Sequence, residues 1–144
     1  KSDNEAILEA EAHEDATLNL VPVDWAARIL LFVTKKGPCN DILNIVDENP
    51  LPVETVYSYG FKALGIDGNT ITKRTIDIDS RSCSKYQRIF NLVIGILRPY
   101  TSKKFVASTD TLKAHLKGDY IKAPPITYEL LDKCLRYAVS ATKA

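Results

Sequence analysis

Apolar positions recur with a helical period over two stretches in the first half of the chain. Between residues 24 and 35, and again between 53 and 64, they return every three or four positions. This spacing places them on one side of a helix. Gly37 and Gly65 follow directly, and glycine is common just after a helix end. Two helices are therefore predicted there, and others at residues 2–16, 41–48, 84–97, 110–117 and from Thr127 onward.

The predicted helix at 84–97 has the widest apolar stripe of the set. Its members are Ile89, Phe90, Val93, Ile94 and Leu97, which we expect to face the core. Lys85 and Arg88 lie opposite much of that stripe, and Pro99 is expected to end the helix.

The N-terminal segment is acidic and has few large apolar residues. Ser2 and Glu5 have the spacing of a capping box, and the following residues are rich in Glu and Ala, which favour helix. We therefore predict an acidic N-terminal helix or arm over residues 1–20, loosely packed, followed by a single globular domain over residues 21–144.

Strand patterns are limited to two places in the second half. Residues 70–79 are rich in β-branched side chains, and Ile76 and Ile78 alternate with Asp77 and Asp79 as in a half-buried strand. A second short strand is predicted near residues 100–108. The predicted fold class is α+β and α-rich, with about six helices and a one- or two-stranded β element; an all-α fold is the alternative.

Composition indicates an ordinary soluble domain, but the charge is unevenly distributed. The 144 residues are 45% apolar and 26% charged, with a net charge of +1. Residues 1–70 contain 5 basic and 12 acidic side chains, whereas residues 71–144 contain 14 basic and 6 acidic ones. The second half is therefore strongly basic, which bears on partners rather than on fold.

Most of that positive charge lies within 32 residues, and aromatic residues are interleaved with it. We predict that the cluster forms a surface for a polyanion, either RNA or an anionic membrane. Its members are Lys73, Arg74, Arg81, Lys85, Arg88, Arg98, Lys103 and Lys104.

Two other interpretations of the charge remain open. The basic side chains are solvated, or are paired with acidic ones of the same chain. Alternatively, the acidic segment of one copy contacts the basic half of another, which would build a homo-oligomer. The residues expected to carry such self-association are Glu5, Ile7, Leu8, Glu9 and Glu11.

A catalytic interpretation rests on Asp77, Asp79 and Cys83. The two carboxylates are candidate cation ligands, and the thiol is a candidate nucleophile beside basic residues. The simpler interpretation is the solvent face of an edge strand followed by a helix start. No nucleotide-binding or zinc-binding motif occurs, so we expect no metal and no cofactor.

These patterns favour a non-catalytic binding or assembly module, such as a multi-copy structural protein of viral type. A stand-alone nucleic-acid-binding accessory domain and a small enzyme centred on Asp77, Asp79 and Cys83 are the alternatives. Three scattered cysteines do not resemble a disulfide framework. The expected location is therefore intracellular, either cytoplasmic or nuclear.

Overall fold

Short strands and longer helices occupy the residues described by the computed structural model, which are 8–66, 70–72 and 84–141. Within them the helices are α1 Val23–Lys36, α2 Val53–Leu64, α3 Lys85–Thr101, α4 Asp110–Leu116 and α5 Tyr128–Ala141, with a 3-10 helix at Lys117–Asp119. The strands are β1 Glu9–Glu11, β2 Thr17–Leu18, β3 Leu51–Pro52 and β4 Thr70–Thr72. The predicted α+β, α-rich class is confirmed.

The chain packs into two compact units, and each is assembled from separate stretches of sequence. Unit 1 comprises Lys1–Leu18, Pro52–Lys104 and Thr127–Ala144; unit 2 comprises Asn19–Leu51 and Phe105–Ile126. The predicted division into an arm and one domain stays a prediction, because compact packing does not test which parts fold independently.

In unit 1 residues 9–11 form a strand, so the predicted helix over residues 2–16 is wrong from residue 8 onward; residues 1–7 lie outside the described residues. β1 pairs in parallel with β4, with Glu9 opposite Thr70 and Glu11 opposite Thr72. Leu8, Ala10 and Ala12 are buried in alternation with charged neighbours. Helix propensity is a weak preference that tertiary packing overrides, and here the alternation lets every second residue enter the core.

α2 has the predicted bounds and ending. Gly65 adopts the left-handed conformation, with φ 65°, which glycine tolerates because it lacks a Cβ. The Ile66 N–H then donates to the Phe61 carbonyl at 2.9 Å, as in a Schellman ending. α2 packs mainly against α5, and the Tyr59 and Tyr128 rings meet edge to face.

α3 begins where the sequence predicts and ends later. The Ser84 hydroxyl accepts a hydrogen bond from the Gln87 N–H at 3.0 Å and so caps the helix. Pro99 lies inside the last turn, not beyond it; its missing N–H and its ring affect the carbonyl four residues earlier, at Gly95. Among the described residues, no helix has both the length and the apolar content needed to cross a bilayer.

Unit 2 is built around α1 and α4. Trp25 and Ile29 of α1 pack with Leu112 and Leu116 of α4, and the Trp25 indole N–H donates to the Ile121 carbonyl at 2.9 Å. The helix predicted at 41–48 is wrong, since this segment has no regular structure. It is held instead by side-chain bonds, including Asn19 to the Asp47 backbone.

The strand predicted near residues 100–108 is also wrong. Residues 100 and 101 end α3, and the stretch that follows has no regular structure before α4. The helical pattern of α3 continues through Thr101, whose hydroxyl donates to the Arg98 carbonyl at 3.4 Å.

Candidate polyanion-binding surface

Four of the predicted basic residues are exposed around the two ends of α3. Lys85 and Arg88 lie in its first turn, and Lys103 and Lys104 follow its last. We call these four residues the α3 basic surface. Within the described part of the chain none of them forms an ion pair. Lys73, Arg74 and Arg81 lie outside the described residues.

Arg98 belongs to a different environment from the other basic residues. Its guanidinium donates to the Glu11 carboxylate at 2.5 Å, and the other oxygen of that carboxylate is 2.9 Å from the His13 ring. Glu11 is largely buried and Arg98 is partly so. The pair is an intrachain contact between the acidic and basic halves, as one of the interpretations of the charge asymmetry anticipates.

Within unit 1, α3 turns a polar side towards β1. Gln87, Asn91 and Thr101 are buried, and Arg98 is half-buried on the same side. The Gln87 amide accepts from the Glu9 N–H at 2.7 Å and donates to the Glu9 carbonyl at 2.8 Å. It therefore pairs with β1 in the way that a peptide group of a neighbouring strand would.

The opposite side of α3 is apolar and exposed. The predicted inward stripe is therefore partly wrong: Phe90 and Ile94 are half-buried, but Ile89 and Leu97 face solvent. The inward positions are taken by side chains that bond to β1. We call the exposed set the α3 apolar face; it comprises Tyr86 (65% exposed), Ile89 (52%), Leu92 (70%), Ile96 (75%), Leu97 (46%) and Tyr100 (68%).

A small cavity of about 30 Å³ lies where the polar side of α3 meets β1. Glu11, Arg98, Asn91 and Tyr57 contribute to its wall, and burial raises the pKa of the Tyr57 phenol. This volume suits one or two water molecules, whereas ligand pockets are typically about 300 Å³ or larger. The cavity is therefore too small for a substrate.

The predicted self-association residues are mostly engaged within the chain. Leu8 is buried in the core of unit 1, and Glu11 is bonded to Arg98. Glu9 keeps an exposed side chain, while its backbone bonds to Gln87. Glu5 and Ile7 lie outside the described residues.

The residues of the catalytic interpretation, Asp77, Asp79 and Cys83, also lie outside the described residues. Within residues 8–66, 70–72 and 84–141, no three His, Cys, Asp or Glu side chains group closely enough to hold a metal ion. The enzyme alternative accordingly stays a sequence-based hypothesis.

A polar cluster in unit 2 is absent from the sequence predictions. Three donors converge on Glu48 Oε1: Thr109 at 2.6 Å, Lys113 at 2.5 Å and Tyr120 at 3.0 Å. The hydrogen bond from Lys113, followed by those from Thr109 and Tyr120, lowers the pKa of Glu48 to about 2. Its partners lie 61 to 72 positions away in sequence, so no local pattern could have indicated the cluster.

The arrangement around α3 offers charge and exposed apolar area on one element, without a pocket of substrate size beside them. It is suited to binding a surface or a polymer. Comparisons of the chain with protein-family models, with curated proteins and with solved structures gave no match.

Proposed function

We propose that the chain is a non-catalytic binding module that contacts a polyanion through the α3 basic surface. The observation that supports this is the placement of exposed cations at both ends of a helix whose own sequence contains no Asp or Glu. Positive potential along α3 is therefore not offset by a carboxylate of the helix itself.

Their exposure suits these cations to an external partner. Lys85, Arg88, Lys103 and Lys104 are all exposed, so binding an anion does not first require breaking a buried contact. Arg98 has a structural part in this proposal, because it already holds Glu11. Anion binding by these cations does not require the predicted homo-oligomer. We also propose an intracellular location, on the basis of the three scattered cysteines.

The test is binding of fluorescently labelled heparin, measured by anisotropy at low and moderate salt. Replacing all four residues of the α3 basic surface by Gln is expected to weaken binding by about 600-fold at low salt, or about fivefold for each residue. The affinity of the unaltered chain should fall steeply with salt, because exposed charges are screened.

A charge-matched control separates a local surface from net charge. Lys35, Lys117, Lys122 and Lys133 are also exposed, and their fourfold Gln variant carries the same net charge as the test variant. It should bind heparin within about threefold of the unaltered chain. Equal weakening by both variants, or no heparin binding at low salt, would contradict the proposed function.

A further inference from the structure

The α3 apolar face is an exposed stripe with a regular period. Tyr86, Ile89, Ile96 and Tyr100 follow one another at spacings of three, seven and four residues, which keeps them in line along one side of the helix. The 17 residues of α3 give a length of about 25 Å. A surface helix normally exposes its polar side to solvent and buries its apolar side. α3 has the reverse orientation.

Hydrogen bonds on the polar side maintain this orientation. Turning the stripe inwards would break both bonds between Gln87 and the Glu9 backbone. It would also separate Arg98 from the largely buried Glu11 carboxylate. Because buried polar groups are costly to leave unsatisfied, the apolar face stays outwards and is available to an external partner.

The charge around the stripe indicates the chemistry of that partner. Lys85 and Arg88 lie at its start and Lys103 and Lys104 just past its end, and α3 contains no acidic residue. A second copy docked face to face through α3 would bring these cations towards one another. RNA would satisfy the cations but would leave the aliphatic side chains Ile89, Leu92 and Ile96 without a counterpart.

An anionic lipid surface meets both requirements together. Its headgroups attract basic side chains, and the boundary of its acyl chains accepts the apolar side of a helix lying in the plane. Tyr86 and Tyr100 stand near opposite ends of the stripe, and tyrosine is favoured where an apolar region meets water. Lysine side chains can keep the ammonium group among the headgroups while their methylene stems follow the apolar surface.

We propose that α3 docks flat on an anionic membrane, with the α3 apolar face in the interfacial layer and the α3 basic surface among the headgroups. This deepens the proposed function, on which it rests because it uses the same four cations. It commits the polyanion to a lipid bilayer, as distinct from a nucleic acid.

The test is co-sedimentation of the full chain with vesicles of neutral phosphatidylcholine, with and without about 30% phosphatidylserine. Binding is expected to the anionic vesicles only, and it should weaken at high salt. Each basic residue removed from the α3 basic surface should weaken it by about fivefold at low salt. An Ile89→Ser/Leu92→Ser/Ile96→Ser variant should bind at least about tenfold more weakly. Circular dichroism checks that it folds, as expected for substitutions at exposed positions.

Unit 2 provides a matched control. Val23, Ile42 and Val106 are at least as exposed as the three tested side chains, and their triple Ser variant should bind vesicles within about twofold of the unaltered chain. A single Ile96→Trp variant gives a second measurement. Its added fluorescence should shift to shorter wavelength on anionic vesicles, whereas that of Ile42→Trp should not.

The outcomes distinguish this inference from the proposed function. Heparin binding without vesicle binding overturns the membrane inference alone, and equal vesicle binding by the two triple Ser variants does the same. If labelled single-stranded RNA binds and vesicles do not, the partner is a nucleic acid. If vesicles are not bound and the molecular mass rises with concentration only while Ile89, Leu92 and Ile96 are intact, the face joins copies of the chain. Loss of heparin binding as well overturns both proposals.

Discussion

Glu48 shows how one carboxylate can join distant parts of unit 2. It lies in the irregular segment before β3, and its three donors lie on or beside α4 and the 3-10 helix. Since its pKa is about 2 in the folded chain and 4.5 ordinarily, the ionised form is favoured by folding. The resulting stability is complete above about pH 4.5 and is lost as the pH falls towards 2.

We expect Glu48→Gln to lower the free energy of unfolding at pH 7 by about 1 kcal/mol, because solvent screens a partly exposed pair. The difference from the unaltered chain should vanish near pH 2. Urea unfolding followed by the fluorescence of Trp25, the single tryptophan and a core residue of unit 2, measures this. Asp41→Asn, an exposed carboxylate of the same unit, is the control; an equal loss at pH 2 and pH 7 would refute the electrostatic explanation.

Gln87 has a comparable part in unit 1, where its amide bonds to β1 and to Asn91. Removing the amide leaves the Glu9 N–H and carbonyl without these partners. Gln87→Ala is therefore expected to cost about 2 kcal/mol. Lys85→Ala, two residues earlier and exposed, should change stability by less than about 0.5 kcal/mol. Urea unfolding followed by circular dichroism compares them, and similar losses would show that Gln87 does not anchor β1.

Among the elements, α2 contains one glycine and is followed by a second, and the two have different backbone conformations. Gly65 ends the helix at positive φ, whereas Gly60 lies within it with open space where a Cβ would stand. Gly65→Ala should destabilise the chain by about 1 kcal/mol. Gly60→Ala should stabilise it by about 0.5–1 kcal/mol. The thermal unfolding midpoints of the two variants should shift in opposite directions from that of the unaltered chain. Shifts of the same sign would contradict this explanation.

Local signals at element ends were sufficient to predict several features of the fold. Gly65 followed by Ile66 marks the end of α2, and Ser84 marks the start of α3. Such signals depend on residues a few positions apart, so a single sequence contains them. The strand β1 was missed because its Glu and Ala residues favour helix, although the alternation of Leu8, Ala10 and Ala12 with charged residues is itself a strand pattern.

The outward side of α3 could not be predicted from hydrophobic period alone. The period correctly predicts an amphipathic helix, but it assumes that the apolar side is the buried one. Here Gln87 and Arg98 bind partners in β1, which lies some 80 residues earlier. The cations Lys85, Arg88, Lys103 and Lys104 were found from sequence, whereas the apolar face beside them required the structure.

At the scale of the whole molecule, part of the charge asymmetry between the two halves of the sequence is offset by an ion pair within the chain. The acidic half supplies Glu11 and the basic half supplies Arg98, while the four residues of the α3 basic surface stay exposed. A net charge of +1 therefore conceals a local positive region. Both the heparin and the vesicle experiments depend on this local charge and not on the total.

The interleaved units also imply an order of events during synthesis. Unit 2 has all of its residues once Ile126 has been added, whereas unit 1 still lacks the helix against which α2 packs. Because a ribosome releases the chain from its N-terminus, β1 must also wait until β4 and α3 emerge before its backbone is paired. Nascent unit 1 thus holds β1 unpaired until β4 and α3 have emerged, and α5 completes the unit that contains β1.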